Sequence, residues 1–231
     1  KGIDGDELPK IKQLAQDNLE FALFTLNTFK QTVLENPEYL SLVTSPAYTH
    51  RTYYMGIVDS NNRLNFYDGM IRVVDPEGKE YVKFAPQEYR NYIAEHIEPY
   101  TYIKFCYLKS VGWKGFKDGI DSGIYCVAPL GRLNACEGMA TPKAQQAYEE
   151  YIKTLGKPVH YTLATHWARI IEVIYASERM IELANDPEIL GKDLRNIPSK
   201  VGEVGISAVE APRGTLFHHY ETDSNGLLKK V

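Results

Sequence analysis

Apolar residues recur at alternating steps of four and three through Ile11, Ala15, Leu19, Ala22, Leu26, Phe29 and Val33. Lys12, Gln16, Glu20 and Lys30 fall off that stripe. This is the period of an amphipathic helix. Pro9 suits its first turn and Asn36-Pro37 marks its end. The pattern then shortens into β-prone runs at Tyr53–Val58, 63–67, Met70–Val74 and Glu80–Phe84. Asp59-Ser60-Asn61-Asn62, Asp68-Gly69 and Asp75-Pro76-Glu77-Gly78 separate them as turns, so 53–84 reads as a β-meander.

A polar segment at 86–98 reads as helical, and 99–138 breaks into glycines, aromatics and two prolines. Irregular stretches of that kind are commonly functional or form an interface. Thr141-Pro142 opens a further helix through about Leu155. A longer one follows at 159–185, with Leu163, Trp167, Ile170, Ile171, Ile174 and Ile181 on its apolar side and Asp186-Pro187 as its stop. Irregular chain from about Gly191 leads to a strand or extended pass over 202–209. The fold class expected is α+β and helix-rich: long packed helices with a small peripheral antiparallel sheet.

That pass feeds the segment Glu210-Ala211-Pro212-Arg213-Gly214-Thr215-Leu216-Phe217-His218-His219-Tyr220. Pro212 fixes its own φ and pushes Ala211 towards an extended conformation. Gly214 allows a sharp bend directly after Arg213, so the guanidinium sits at the crook of a stiff segment. His218 and His219, adjacent on extended chain, point to opposite sides, which lets one face inward near Arg213.

Composition narrows the classes. The chain has 231 residues, 44% hydrophobic and 24% charged, enough for a substantial core. A net charge of −4 gives no reason to expect nucleic acid as a partner, and no apolar run approaches a bilayer span. Cys106, Cys126 and Cys136 are odd in number and match no zinc or haem spacing, which points to free thiols in a reducing compartment, the cytoplasm. Of the six histidines no pair has H-x-x-x-H spacing, and His160 and His166 fall on nearly opposite faces of a helix. The chain has no G-x-S-x-G elbow, phosphate loop or dinucleotide fingerprint. Residue chemistry alone offers one presented arginine, a supporting imidazole and no reactive centre. No set of metal ligands is expected.

Three stretches resemble the large subunit of nickel–iron hydrogenases. Glu210 to Tyr220 resembles that family's E-A-P-R-G segment. Tyr125-Cys126-Val127-Ala128-Pro129-Leu130-Gly131-Arg132-Leu133-Asn134 resembles its G-P-L-A-R-L-N segment, with glycine and alanine exchanged at 128 and 131. Tyr102-Ile103-Lys104-Phe105-Cys106-Tyr107-Leu108-Lys109 resembles Y-L-K-F-P-Y-Y-K, with Cys106 replacing a proline. His218-His219-Tyr220, with Thr215, is similar to the cytosolic multimeric type linked to NAD, coenzyme F420 or viologen and heterodisulfide systems.

The resemblance implies a Ni–Fe(CN)2CO centre held by four cysteines from two C-x-x-C motifs, neither of which lies in this chain. The expectation is therefore a central fragment, 1–231, of one larger catalytic domain, binding no metal by itself. The whole protein would oxidise H2 reversibly, passing electrons to an iron–sulfur small subunit, then to further electron-transfer subunits. By residue-wise carry-over Arg213 is the catalytic arginine above the metal pair. Pro212, Leu216 and His218 form the pocket, and Lys104 and Arg132 give ionic support. The alternative implied is a respiratory-complex-type scaffold of the same fold that has lost its metal site. A free-standing binding module is a weaker third reading.

Overall fold

Helix α1 (Leu8–Phe29) carries the first apolar stripe, continues as a π-helical turn to Leu34, and buries Ala15, Leu19, Ala22 and Leu26. The structure is a computed structural model describing residues 2–197 and 200–231. Lys1, and residues 198–199 within the stretch expected to be irregular from Gly191, lie outside the described residues. Asn36 ends α1 by starting something new: its side chain accepts from Glu38 N–H and caps α2 (Pro37–Val43).

The buried face of α1 meets α5 (Pro142–Leu155) and α6 (Thr165–Asn185). Leu19, Ala22 and Leu26 share one core with Tyr148, Tyr151, Trp167, Ile171 and Ile174. Side chains of this size contribute roughly 1.5–3 kcal/mol each when fully buried. Glu178 of α6 accepts from Lys143 and Ala144 N–H at 2.9 and 3.0 Å, so α6 supplies the N-terminal cap of α5.

Strand β1 (Tyr53–Val58) divides two cores. Tyr54 and Val58 join the helical core, while Tyr53, Met55 and Ile57 join a second with Ile71, Val73, Phe84 and Leu108. A strand buried on both faces reads as the unbroken apolar run seen here. β2 (Met70–Val74) and β3 (Glu80–Phe84) extend the sheet antiparallel, and β6 (Tyr125–Cys126) pairs with β1 in parallel. Helix α4 (Ala128–Ala135) leaves β6 and lies across β1, with every residue from Pro129 to Ala135 buried.

Two small antiparallel sheets complete the fold. One pairs β4 (Ile93–Ile97) with β5 (Lys104–Leu108). The other orders β7 (Val204–Ala211), β8 (Gly214–Thr222) and β9 (Leu228–Lys230). The architecture is mixed and helix-rich, with long packed helices and small antiparallel sheets.

Three local expectations change. Residues 63–67 form no strand: Asp59 accepts the N–H groups of Asn61 and Arg63, curling the chain so that only isolated bridges form at Arg63 and Leu64. The helix expected over 86–98 is a 3-10 turn at Pro86–Glu88 followed by α3 (Tyr89–Tyr92), after which Ile93 turns extended to pair with Leu108. The helix expected over 159–185 begins at Thr165, after a 3-10 turn at Thr162–Ala164, so His160 precedes it.

Candidate functional site

The arginine segment is the tip of the β7–β8 hairpin. Ala211 pairs with Gly214, leaving Pro212 and Arg213 as the whole turn. The bend therefore lies at Pro212 and Arg213 themselves, with Gly214 already extended. Gly214 itself is the first residue of β8, and its contribution is space: a Cβ there would lie 3.1 Å from Val127 Cγ2. The hairpin thus rests on the entry to α4.

That entry is built by two close approaches. A Cβ on Gly131 would stand 2.4 Å from the Cys126 carbonyl oxygen, and one on Gly56 would stand 3.0 Å from Arg132 Cα. Without those methyl groups α4 lies directly on β1 and β6. Ala128, just ahead, has φ 65°, a left-handed conformation that glycine adopts far more readily.

This packing carries Arg132 into the root of the hairpin, where it is 2% exposed. Its Nε and Nη2 donate to Glu172 Oε1 and Oε2 at 2.6 and 2.7 Å. Its Nη1 donates to Glu210 Oε2 at 2.9 Å and to the Ala211 carbonyl at 2.7 Å. Glu210 also accepts from Ile57 N–H at 2.8 Å and from the Thr215 hydroxyl at 3.1 Å. One buried guanidinium thus ties α4, α6 and β7 together, using the planar fork that lysine lacks, and β8 joins through the Thr215–Glu210 bond. Burial pushes the carboxyls of Glu172 and Glu210 above the ordinary carboxylate value, with Arg132 opposing the shift in both.

Arg213 differs in kind. Its side chain is exposed, and among the described residues nothing pairs with its guanidinium. From α6, Arg169 Nη1 donates to the Pro212 carbonyl at 2.9 Å.

Two concavities flank the hairpin. Pro212 and Arg132 line one of about 310 Å³ with Phe66, Arg169, Glu172 and Glu210. Leu216, His218 and Lys104 line a larger groove of about 780 Å³ on the side of β4 and β5. The expected pocket of Pro212, Leu216 and His218 is therefore split between two sides of one hairpin. His218 bonds Tyr220 at 2.9 Å, and the more enclosed imidazole is that of His219, bonded to Tyr89 at 3.0 Å. Lys104 pairs across the β4–β5 ladder with Glu95 at 2.9 Å, a bond that raises its pKa.

Glu172 and Arg169 are not singled out by the sequence motifs. A signal for Glu172 is nonetheless present: a carboxylate one turn from Ala168 and Tyr175 on the buried side of α6, where a charge needs a partner. Arg169 carries no such signal. The remaining residues of the second motif have structural work. Leu133 is fully buried, and Asn134 exchanges two 2.8 Å hydrogen bonds with the backbone of Val159.

Among the described residues no group of three or more His, Cys, Asp or Glu side chains is placed to hold a metal ion. Burial pushes the Cys126 thiol up to about 11 and raises those of Cys106 and Cys136, disfavouring the thiolate that a soft metal needs. No described helix is long and apolar enough to cross a membrane.

No protein-family model matches the chain. It is 43% identical over 229 residues to the iron-sulfur subunit of the F420-non-reducing hydrogenase of Archaeoglobus profundus, covering 99% of this chain and 47% of that protein. It is 37% identical over 236 residues to a component of the vhu F420-non-reducing hydrogenase of Methanococcus voltae, covering 100% and 54% respectively. The crystal structure of an NAD+-reducing [NiFe]-hydrogenase in the H2-reduced state superimposes with a TM-score of 0.86 at 27% identity, over 99% of this chain and 48% of that one. The chain spans about half the length of the relatives it matches. It is a homologue of hydrogenase large subunits and has their fold.

Proposed function

We propose that this chain is the central part of a nickel–iron hydrogenase large subunit, with Arg213 as its catalytic arginine. The reaction is the reversible oxidation of H2 to two protons and two electrons. The electrons leave through an iron–sulfur small subunit, then through further electron-transfer subunits, in the cytoplasm. The observation that supports this reading is the contrast between two arginines in two hydrogenase-like motifs. Arg132 makes four hydrogen bonds, two to Glu172 and two to the root of the hairpin, while Arg213 is carried at its tip with none among the described residues.

The 231 residues do not fit the metal pair as a ligand set. Cys106, Cys126 and Cys136 make no C-x-x-C pair, and their pKa values are raised, which disfavours the thiolate form. Ligating thiolates are assigned to residues outside this stretch, and no step through the metals is derived from it. What these residues contribute is a cation carried on a backbone turn that is itself firmly held, with a planar fork of donors free to meet charge that develops beside it. Pro212 walls one side of the tip, while Leu216 and His218 line the groove on the other. Arg132 supports the hairpin from beneath, and Lys104 brings to the groove an ammonium paired with Glu95.

The test is Arg213→Lys in the full-length protein with its partners. The variant keeps a cation and is expected to keep full nickel content while losing most H2 turnover. Full nickel with near-normal turnover overturns the assignment.

A further inference from the structure

The two carbonyls that lead into Arg213 are each held by a different guanidinium. Arg132 Nη1 reaches the Ala211 carbonyl at 2.7 Å, and Arg169 Nη1 reaches the Pro212 carbonyl at 2.9 Å. Both holds trace to α6: Arg169 lies on it, and Glu172, one turn further along, grips Arg132 through two bonds. On the departing strand, Gly214 sits against Val127 and the Thr215 hydroxyl is tied to Glu210. Every residue from Glu210 to Thr215 is therefore held except the Arg213 side chain.

The charges around the tip are matched. Arg132 and Arg169 line the same cavity as Glu172 and Glu210, two cations with two carboxylates. Arg213 is left as the extra cation. A two-residue turn has few internal hydrogen bonds of its own, so external donors decide its orientation. Among these holds, that of Arg169 comes from an exposed side chain whose one hydrogen bond given by the described residues is to the turn.

We infer that Arg169 is a positioning residue: by donating to the Pro212 carbonyl it fixes the direction in which the hairpin presents Arg213, with the Arg132–Glu172 pair as the buried half of the same clamp. This rests on the proposed role of Arg213. Arg169 touches neither substrate nor metal; it acts through the turn. Its side chain is exposed and lies outside both cores, while its charge lowers the pKa of Glu172, so nickel content and melting temperature are read beside kcat.

The experiment uses the full-length enzyme with its partner subunits and three variants: Arg169→Met, Arg169→Lys and Arg213→Lys. Arg169→Met is expected to retain nickel and melting temperature, leave the KM for H2 unchanged, and lower kcat by about ten- to a hundredfold, the scale of a misplaced catalytic group. Arg169→Lys keeps a donor within reach of the carbonyl and is expected to recover much of that loss. Hydrogen–deuterium exchange at Gly214 and Thr215 should quicken in the Met variant and return towards normal in the Lys variant. Normal kcat in Arg169→Met beside a dead Arg213→Lys overturns the clamp alone. Normal kcat in Arg213→Lys overturns the underlying reading. Loss of nickel or folding in both Arg169 variants overturns positioning in favour of plain structural support.

Discussion

Arg132 and Glu172 face each other through two parallel hydrogen bonds of 2.6 and 2.7 Å, with both side chains less than a tenth exposed. Breaking such a pair by removing one partner leaves a buried charge unmatched, a cost of about 3–5 kcal/mol. Arg132→Met should therefore destabilise strongly, since it strands Glu172 and Glu210 together. Arg132→Met combined with Glu172→Met should be less damaging than Arg132→Met alone. Chemical denaturation of the four members of the cycle measures this, and simple additivity would contradict it.

Glu210 should contribute stability that falls as pH rises across the weakly acidic range. Burial raises its carboxyl pKa above the ordinary 4.5, more than Arg132 lowers it. A group whose folded pKa is raised takes up protons on folding. Its contribution is fully present below the unfolded pKa, about 4.3, and is lost as pH rises through the folded value. Glu210→Gln should flatten that slope while leaving the Arg132–Glu172 pair in place. Urea midpoints between about pH 4.5 and 7.5 give the comparison, and equal slopes in both proteins would refute it.

Residues 128 and 131 should respond in opposite directions. Ala128 sits at φ 65°, so Ala128→Gly relieves about 1–2 kcal/mol of strain against a loss of about 0.4–1 kcal/mol from a freer unfolded chain. A net gain of about 0.8 kcal/mol is expected from that difference. Gly131→Ala drives a methyl against the Cys126 backbone at 2.4 Å and should cost about 1–3 kcal/mol. Melting temperatures of the two single variants decide this, and a stabilised Gly131→Ala protein would show the approach is not tight.

Glu178→Ala should loosen the start of α5. Its carboxylate accepts from both Lys143 and Ala144 N–H, and losing such a cap costs about 1 kcal/mol. Amide exchange at residues 143–145 should quicken more than at the end of the helix. Uniform exchange along α5 would mean that the cap is idle.

How much of the fold is legible in the sequence depends on whether local pattern or distant pairing decides each element. Strands β1, β2 and β3 lie at the runs expected for them, because turn chemistry on either side fixes their ends. Helix α4 leaves no periodic trace, since all its residues from Pro129 onward are buried and no polar face marks the turn. β4 is hidden for another reason. Ile93 to Ile97 alternate between inner and outer positions only weakly, and the segment becomes a strand through β5 lying beside it. At the site, Arg213 and Arg132 are visible as motif residues, but Arg169 is not. An exposed arginine on a helix looks the same whether it meets solvent or a carbonyl forty-three positions away.

The turn between β7 and β8 contains Pro212 and Arg213 and nothing more. Chain length at that point is then as strict a requirement as residue type. One inserted amino acid would spare the ladder from Val204 to Ala211 and every buried charge below it, yet would send the guanidinium out along a new heading. Deletions and insertions here should be poorly tolerated for function even where the protein still folds, which makes a two-residue gap the feature to look for when comparing hairpins of this kind.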